Sequence, residues 1–329
     1  MRRGVGNRPS CRAAPRVPEA VLTMRSSIGL LAATALLVAA CGGSSTSQAP
    51  PVGSPSATPA ASGPEILPLL ISSEIAKGPN RFLFSLTDRQ NRLIAAPDIK
   101  VHLLFYDVDT AENVVVFEVD ATFMWAIEGQ TGLYRTNVTF PDAGRWGTRF
   151  EATSPDGSVK TVRADYDVAE SGTTPAIGAQ APSVDTPTVS DVGGEPKRLT
   201  TDQEPDPRFY EISIADALTA AKPLVVVFAT PAFCETRTCG PTLETVKAVA
   251  KDYPDIGFIN VEPYRMTFRD GSLQPEFDAN GRLQPAPWTE AWGLQTEPYT
   301  FVVAADGTVA VKFEGVLGAD ELRGALDAL

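Results

Sequence analysis

Residues 224–241 read LVVVFATPAFCETRTCGP, an unbroken apolar run followed by two cysteines five positions apart. Leu224 to Ala229 carries no charge and no alternation, the pattern of a strand buried on both faces. Cys234 and Cys239 follow it directly. At 100° per residue, a separation of five puts side chains about 140° apart on a helix, so both sulfurs cannot be neighbours on one regular helix. Cys234 therefore belongs to the preceding loop, with Glu235 to Thr238 looped out and a helix starting near Gly240-Pro241, where proline suits the first turn. A cysteine at such a start faces unpaired N–H groups and the positive end of the helix dipole, which favour thiolate over thiol. Cys234 is the candidate nucleophile and Cys239 its resolving partner. Arg237 would favour the thiolate, whereas Glu235 and Glu297 would oppose it.

Outward from this stretch the pattern continues. Ser213 and Asp216 match a broad capping box ahead of a short helix to Ala221. Thr242 to Tyr253 sets Leu243, Val246, Val249 and Ala250 on one helical stripe. Ile256 to Val261 reads as a strand, Tyr299 to Ala304 and Val309 to Glu314 as a hairpin around Asp306-Gly307, and Ala319 to Leu329 as a closing helix. Between them lies a long connection from Pro263 to Gly293 with Tyr264, Met266, Phe268, Phe277, Trp288 and Trp292. The five aromatics among them either form a substrate surface or pack the insertion locally.

The rest of the 329-residue chain sets the organisation. Six or seven half-buried strands are expected between residues 64 and 170, from the period-two runs at Arg81 to Leu86, Ile99 to Val108, Tyr134 to Phe140, Trp146 to Ala152 and Val159 to Val168. Turn residues separate these runs. That number of short strands suggests an immunoglobulin-like β-sandwich. His102 is the single histidine. It reads as a satisfied sheet residue rather than a metal ligand, since no second histidine could join it. Residues 171–208, rich in Gly, Thr, Pro and Asp, read as the connection to a second domain at 209–329.

The N-terminus suggests export. Arg25 precedes the uncharged run Ile28 to Ala40, which is 13 residues and shorter than the roughly 20 needed to span a bilayer. It has the form of a signal-peptide core, so residues 1–40 are expected to be removed, with Met24 as the expected true start. Leu37-Val-Ala-Ala-Cys41 resembles a bacterial lipobox and implies acylation of Cys41; an ordinary secretory signal is the alternative. Residues 41–63 form the lipidated cysteine and a Gly, Ser, Thr, Pro and Ala linker. The whole chain has 28 basic and 40 acidic side chains. Without residues 1–40 it has 22 basic against 39 acidic, a charge of −17. No basic run tracks a phosphate backbone, so nucleic acid is excluded as a partner. Cys234 and Cys239 are then the pair left in an exported chain, and they bond to each other or to nothing within it.

Val227 to Pro241, together with Thr296-Glu-Pro-Tyr-Thr-Phe301, resembles the thioredoxin superfamily over about 120 residues. Gly132 to Phe140 with Ala143 to Gly147 resembles small extracytoplasmic Ig-like modules of the YtkA-like kind. The resemblance implies an α/β thioredoxin-like C-terminal domain behind an all-β immunoglobulin-like sandwich. It also implies a redox-active disulfide of Cys234 and Cys239, and Pro298 as a cis-proline beside it, with Glu297 and Pro298 meeting a substrate chain as a strand. The C-x4-C spacing departs from the family's C-x2-C, and Val225 to Val227 lacks the buried acid many relatives carry there. The expected activity is thiol-disulfide exchange at a lipid anchor on the extracytoplasmic face, with a protein thiol or disulfide as substrate, a redox partner, and neither cofactor nor metal. Two alternatives stand beside it: a non-enzymatic binding lipoprotein whose disulfide is structural, and a Sco-like copper-binding factor, which would have Met266 but no histidine.

Overall fold

The computed structural model describes residues 65–329, all within one compact unit spanning 59–329. The expected signal peptide, the start at Met24, Cys41 acylation and the linker lie outside the described residues.

The first sheet contains β1 (Ile66–Leu70), β2 (Gly78–Asp88), β3 (Lys100–Asp107), β4 (Val115–Ile127), β5 (Thr131–Phe140), β6 (Gly144–Thr153) and β7 (Val159–Val168), with a one-turn helix α1 (Val108–Ala111) after β3. Their order is β1-β2-β5-β4-β3-β6-β7, antiparallel throughout. The immunoglobulin-like sandwich of two separate sheets is corrected here. β4 pairs with β3 through Val115 to Ala121 and with β5 through Thr122 to Ile127, so one 13-residue strand carries the hydrogen bonding round the core and joins the strands into a single curled sheet. The edges then approach each other. Ala76 bridges Ala169, Lys77 N donates to Ala169 O at 2.8 Å, and Lys160 meets Glu65 at 3.5 Å. The result is a near-barrel filled by Phe82, Phe84, Phe105, Tyr134, Phe140, Trp146 and Phe150.

The remaining elements are α2 (Ile214–Thr219), β8 (Leu224–Phe228), α3 (Cys239–Ala250), β9 (Gly257–Val261), β10 (Met266–Arg269), β11 (Ser272–Pro275), α4 (Pro287–Ala291), β12 (Tyr299–Val303), β13 (Val309–Glu314) and α5 (Ala319–Asp327). A four-stranded sheet runs β13-β12-β8-β9, with β8 parallel to β9 and antiparallel to β12. The pleat divides β8 between two cores. Val225 and Val227 pack with α3 and α5, while Leu224, Val226 and Phe228 pack with Ile214 and Trp292.

The thioredoxin-like α/β class expected for residues 209–329 is also corrected. The described chain is predominantly β, with thirteen strands against five α-helices. Between β9 and β12 the expected long connection holds two further strands, the β10–β11 hairpin, and only the five-residue α4. Pro263, Pro275, Pro285 and Pro287 punctuate that segment and bar a long helix from it.

Residues 171–206 contain no strand. They lie against the second sheet at β13, where Gly178 N donates to Val309 O at 2.8 Å and Val309 N donates to Ala179 O at 2.8 Å, and against the turn ahead of α2, where Val189 N donates to Tyr210 O at 2.9 Å. A buried ion pair joins Arg81 of β2 to Glu321 of α5 at 2.8 Å. The Arg81 guanidinium also donates to the carbonyls of Glu314 and Val316.

Candidate functional site

β8 ends at Phe228, and the chain turns through Thr230 to Thr238 into α3, which begins at Cys239. Cys234 sits in that turn, half-buried, and Cys239 is buried; both are free thiols. Arg237 takes a left-handed backbone (φ 62°), which closes the loop back on the helix start. Cys239 N donates to Cys234 Sγ at 3.2 Å, and Thr236 Oγ1 lies 3.3 Å from the same sulfur.

These contacts set the two thiols apart. The Cys239 thiol, hydrogen-bonded to Cys234 Sγ, is the main cause that lowers the Cys234 pKa to about 5, against the opposing cost of burial; Thr236 and the backbone N–H groups of Cys239 and Thr238 add to the lowering. The Cys239 thiol is driven strongly upward, first by its bond to Cys234 and then by burial, with the Glu297 charge a further cause. Hydrogen bonds to sulfur govern the Cys234 thiolate; the cationic help expected from Arg237 is not among the causes.

Glu297 completes the group. It is buried, its Oε1 accepts from Glu235 N at 3.0 Å, and its Oε2 accepts from the Tyr264 hydroxyl at 2.6 Å. Burial raises its pKa. The Glu297–Pro298 peptide bond is cis. Pro298 O accepts from Gly315 N at 2.8 Å, and Glu297 O accepts from Thr236 Oγ1 at 3.3 Å. A cavity of about 400 Å³ opens beside Glu297, lined by Tyr264, Arg282, Leu283, Leu294 and Thr296.

The sequence reading missed a second buried carboxylate. Glu262 follows the last residue of β9 and is 3% exposed. Its Oε1 accepts from Thr201 N at 2.5 Å, and burial raises its pKa to about 7. Thr201 Oγ1 in turn accepts from Ala232 N in the cysteine turn at 3.1 Å. Nearby, Lys247 of α3 pairs with Asp202 at 2.8 Å, both side chains nearly enclosed. The signal available was a single acidic residue ending an apolar strand just before Pro263. His102 lies away from this group, on β3, bonded to Asp120 at 2.8 Å.

No family model matches the chain, and no curated protein matches it. The predominantly β architecture with its near-barrel first sheet overturns the thioredoxin-like and YtkA-like resemblances, which are withdrawn. Partial likenesses to solved structures include a family 76 glycoside hydrolase from a bovine Bacteroides thetaiotaomicron strain, 8% identical over 29% of this chain and 19% of that one, with a TM-score of 0.21. The PmoD soluble domain from Methylocystis sp. is 13% identical over 33% of this chain and 94% of that one, at 0.21. MtrC from Shewanella baltica is 12% identical over 56% of this chain and 32% of that one, at 0.23. The chain thus spans about a fifth of the hydrolase and a third of MtrC.

Proposed function

We propose that the protein is a thiol-disulfide oxidoreductase acting through Cys234 and Cys239, held at the extracytoplasmic face of a membrane by an acylated Cys41. The observation that carries this reading is the asymmetry of the two sulfurs. One is a half-exposed thiolate near neutral pH, and the other is a buried thiol that donates its hydrogen to it.

In the reducing direction, Cys234 Sγ⁻ attacks one sulfur of a substrate disulfide. A mixed disulfide forms, and the other substrate sulfur leaves as a thiolate that takes a proton from solvent. Cys239 then gives up its proton and attacks Cys234 Sγ, so the substrate leaves as a dithiol and the pair is oxidised to a disulfide. The same steps run backwards for oxidation. Half-burial of Cys234 leaves it open to a protein substrate, and burial of Cys239 keeps the resolving thiol from reacting first.

The test is the equilibrium reduction potential of the pair in residues 42–329, read by alkylation and mass in glutathione or dithiothreitol buffers. A value between about −120 and −270 mV is expected for an exchange catalyst. A value below about −300 mV would make the bond a structural staple, and the protein a binding lipoprotein.

A further inference from the structure

The reduced pair has a third potential ligand beside it. The two Sγ atoms and a carboxylate oxygen of Glu297 all lie within 4.8 Å of one another. A tetrahedral zinc ion with Zn–S near 2.3 Å and Zn–O near 2.1 Å holds its sulfurs about 3.7 Å apart and each sulfur about 3.6 Å from the oxygen. Shifts of about an ångström would therefore close all three atoms on one ion. We propose that the dithiol form of this site binds a divalent thiophilic cation of the zinc class through Cys234 Sγ, Cys239 Sγ and a Glu297 carboxylate oxygen, with the fourth position open.

Three observations support the assignment. The carboxylate is already oriented: Tyr264 holds one oxygen at 2.6 Å and Glu235 N the other at 3.0 Å, the outer support that metal-bound carboxylates require. Each oxygen accepts one hydrogen bond there and keeps a second lone pair for an ion. Cys234 Sγ is likewise fixed by Cys239 N and Thr236, and the ion would replace the proton that Cys239 shares with it. Charge selects the cation. Two thiolates and a carboxylate sum to −3, which a divalent ion reduces to −1; a monovalent ion would leave −2 among buried groups. The oxygen ligand also suits zinc better than soft Cu(I).

Oxidation of the pair removes both thiolate ligands at once. A disulfide substrate that takes two electrons from Cys234 and Cys239 would therefore release the ion, and a bound ion would block exchange. The inference concerns the same site as the proposed exchange but does not need exchange to occur.

The test is titration of the reduced, chelator-treated full chain with Co2+ as a spectroscopic probe, followed by Zn2+ competition against a chromophoric chelator. One Co2+ per chain is expected, with sulfur-to-cobalt charge-transfer absorption and the intense visible bands of a tetrahedral site. Glu297→Gln should weaken Zn2+ about tenfold or more, and Tyr264→Phe by about tenfold. Cys234→Ser, Cys239→Ser and the oxidised protein should each lose the charge-transfer band, with circular dichroism confirming that every variant folds. Absence of binding by the reduced protein, or unchanged affinity in folded Glu297→Gln, would overturn the inference. Exchange activity of the chelator-treated protein reads the proposed function separately, so either reading can fail while the other stands.

Discussion

The curled sheet and the second sheet have opposite kinds of interior. Inside the first, the large buried side chains are aromatic, Phe82, Phe84, Phe105, Tyr134, Phe140, Trp146 and Phe150, and the two polar atoms among them reach backbone carbonyls: Tyr134 Oη donates to Ala96 O, and Trp146 Nε1 to Asp142 O. Around β8, β9 and α3, burial takes in Glu262, Glu297, Asp202, Lys247, Asn260 and Cys239. An apolar interior contributes stability without regard to pH. Buried ionisable groups cost stability, and their protonation is set by neighbours, which is the condition a reactive site needs.

That contrast is broken most forcefully in the first interior. Trp146→Ala removes a fully buried indole and is expected to cost about 3–5 kcal/mol in denaturant unfolding. The alkylation rate of Cys234 in the folded variant should not change. A large change would mean the two interiors act as one.

The junction between them comes next. Glu321→Ala strips the partner from Arg81, whose side chain is 8% exposed, and should cost about 3 kcal/mol. A double variant with Arg81→Met and Glu321→Met should cost clearly less, because Arg135, the other cation on Glu321, keeps Asp320 as its partner and no charge is left alone.

In the second interior the effects are on reactivity. Cys239→Ala removes the main cause lowering the Cys234 pKa, so the thiol should move toward the ordinary value of about 8.5. Alkylation of Cys234 at pH 6 should slow by about tenfold or more. An unchanged rate would show that another group sustains the thiolate.

Glu262 should mark the pH dependence of stability. Its pKa is raised on folding, from 4.5 to about 7, so its contribution is fully present below pH 4.5 and is lost as pH rises through about 7. Glu262→Gln should flatten that decline in unfolding free energy measured across this range.

The smallest effect belongs to His102, raised by its bond to Asp120. Its contribution is present below about pH 6.5 and fades as pH rises through the folded value. Because the ring is exposed, His102→Gln should cost less than about 1 kcal/mol at pH 6, and less still at pH 8.

How far these regions were legible in sequence follows the same division. β8 could be read because Leu224 to Phe228 is apolar without a break, and the start of α3 because C-x4-C cannot lie on one regular helix. Ser213 was visible as a cap and accepts from Asp216 N. The curled sheet departs from the expected sandwich through β4 at Val115–Ile127, a strand outside the period-two runs. Its double pairing depends on partners distant in sequence, which alternation does not encode. The α/β class fails on the balance of the described residues, thirteen strands against five α-helices, to which the β10–β11 hairpin inside the Pro263 to Gly293 connection adds two strands that no alternation announces. Glu297 was singled out beside Pro298, but its hold on Tyr264 spans 33 positions. Nothing local marks Glu262 as buried: it is a single acid after an apolar strand, and its partner Thr201 N lies 61 positions away.

The most direct measurement is the pH dependence of alkylation of the reduced protein, resolved for each cysteine by mass. Cys234 should titrate with a midpoint near 5 and react well before Cys239. A midpoint near 8.5, or two sulfurs of equal reactivity, would contradict the asymmetry on which the proposed exchange rests.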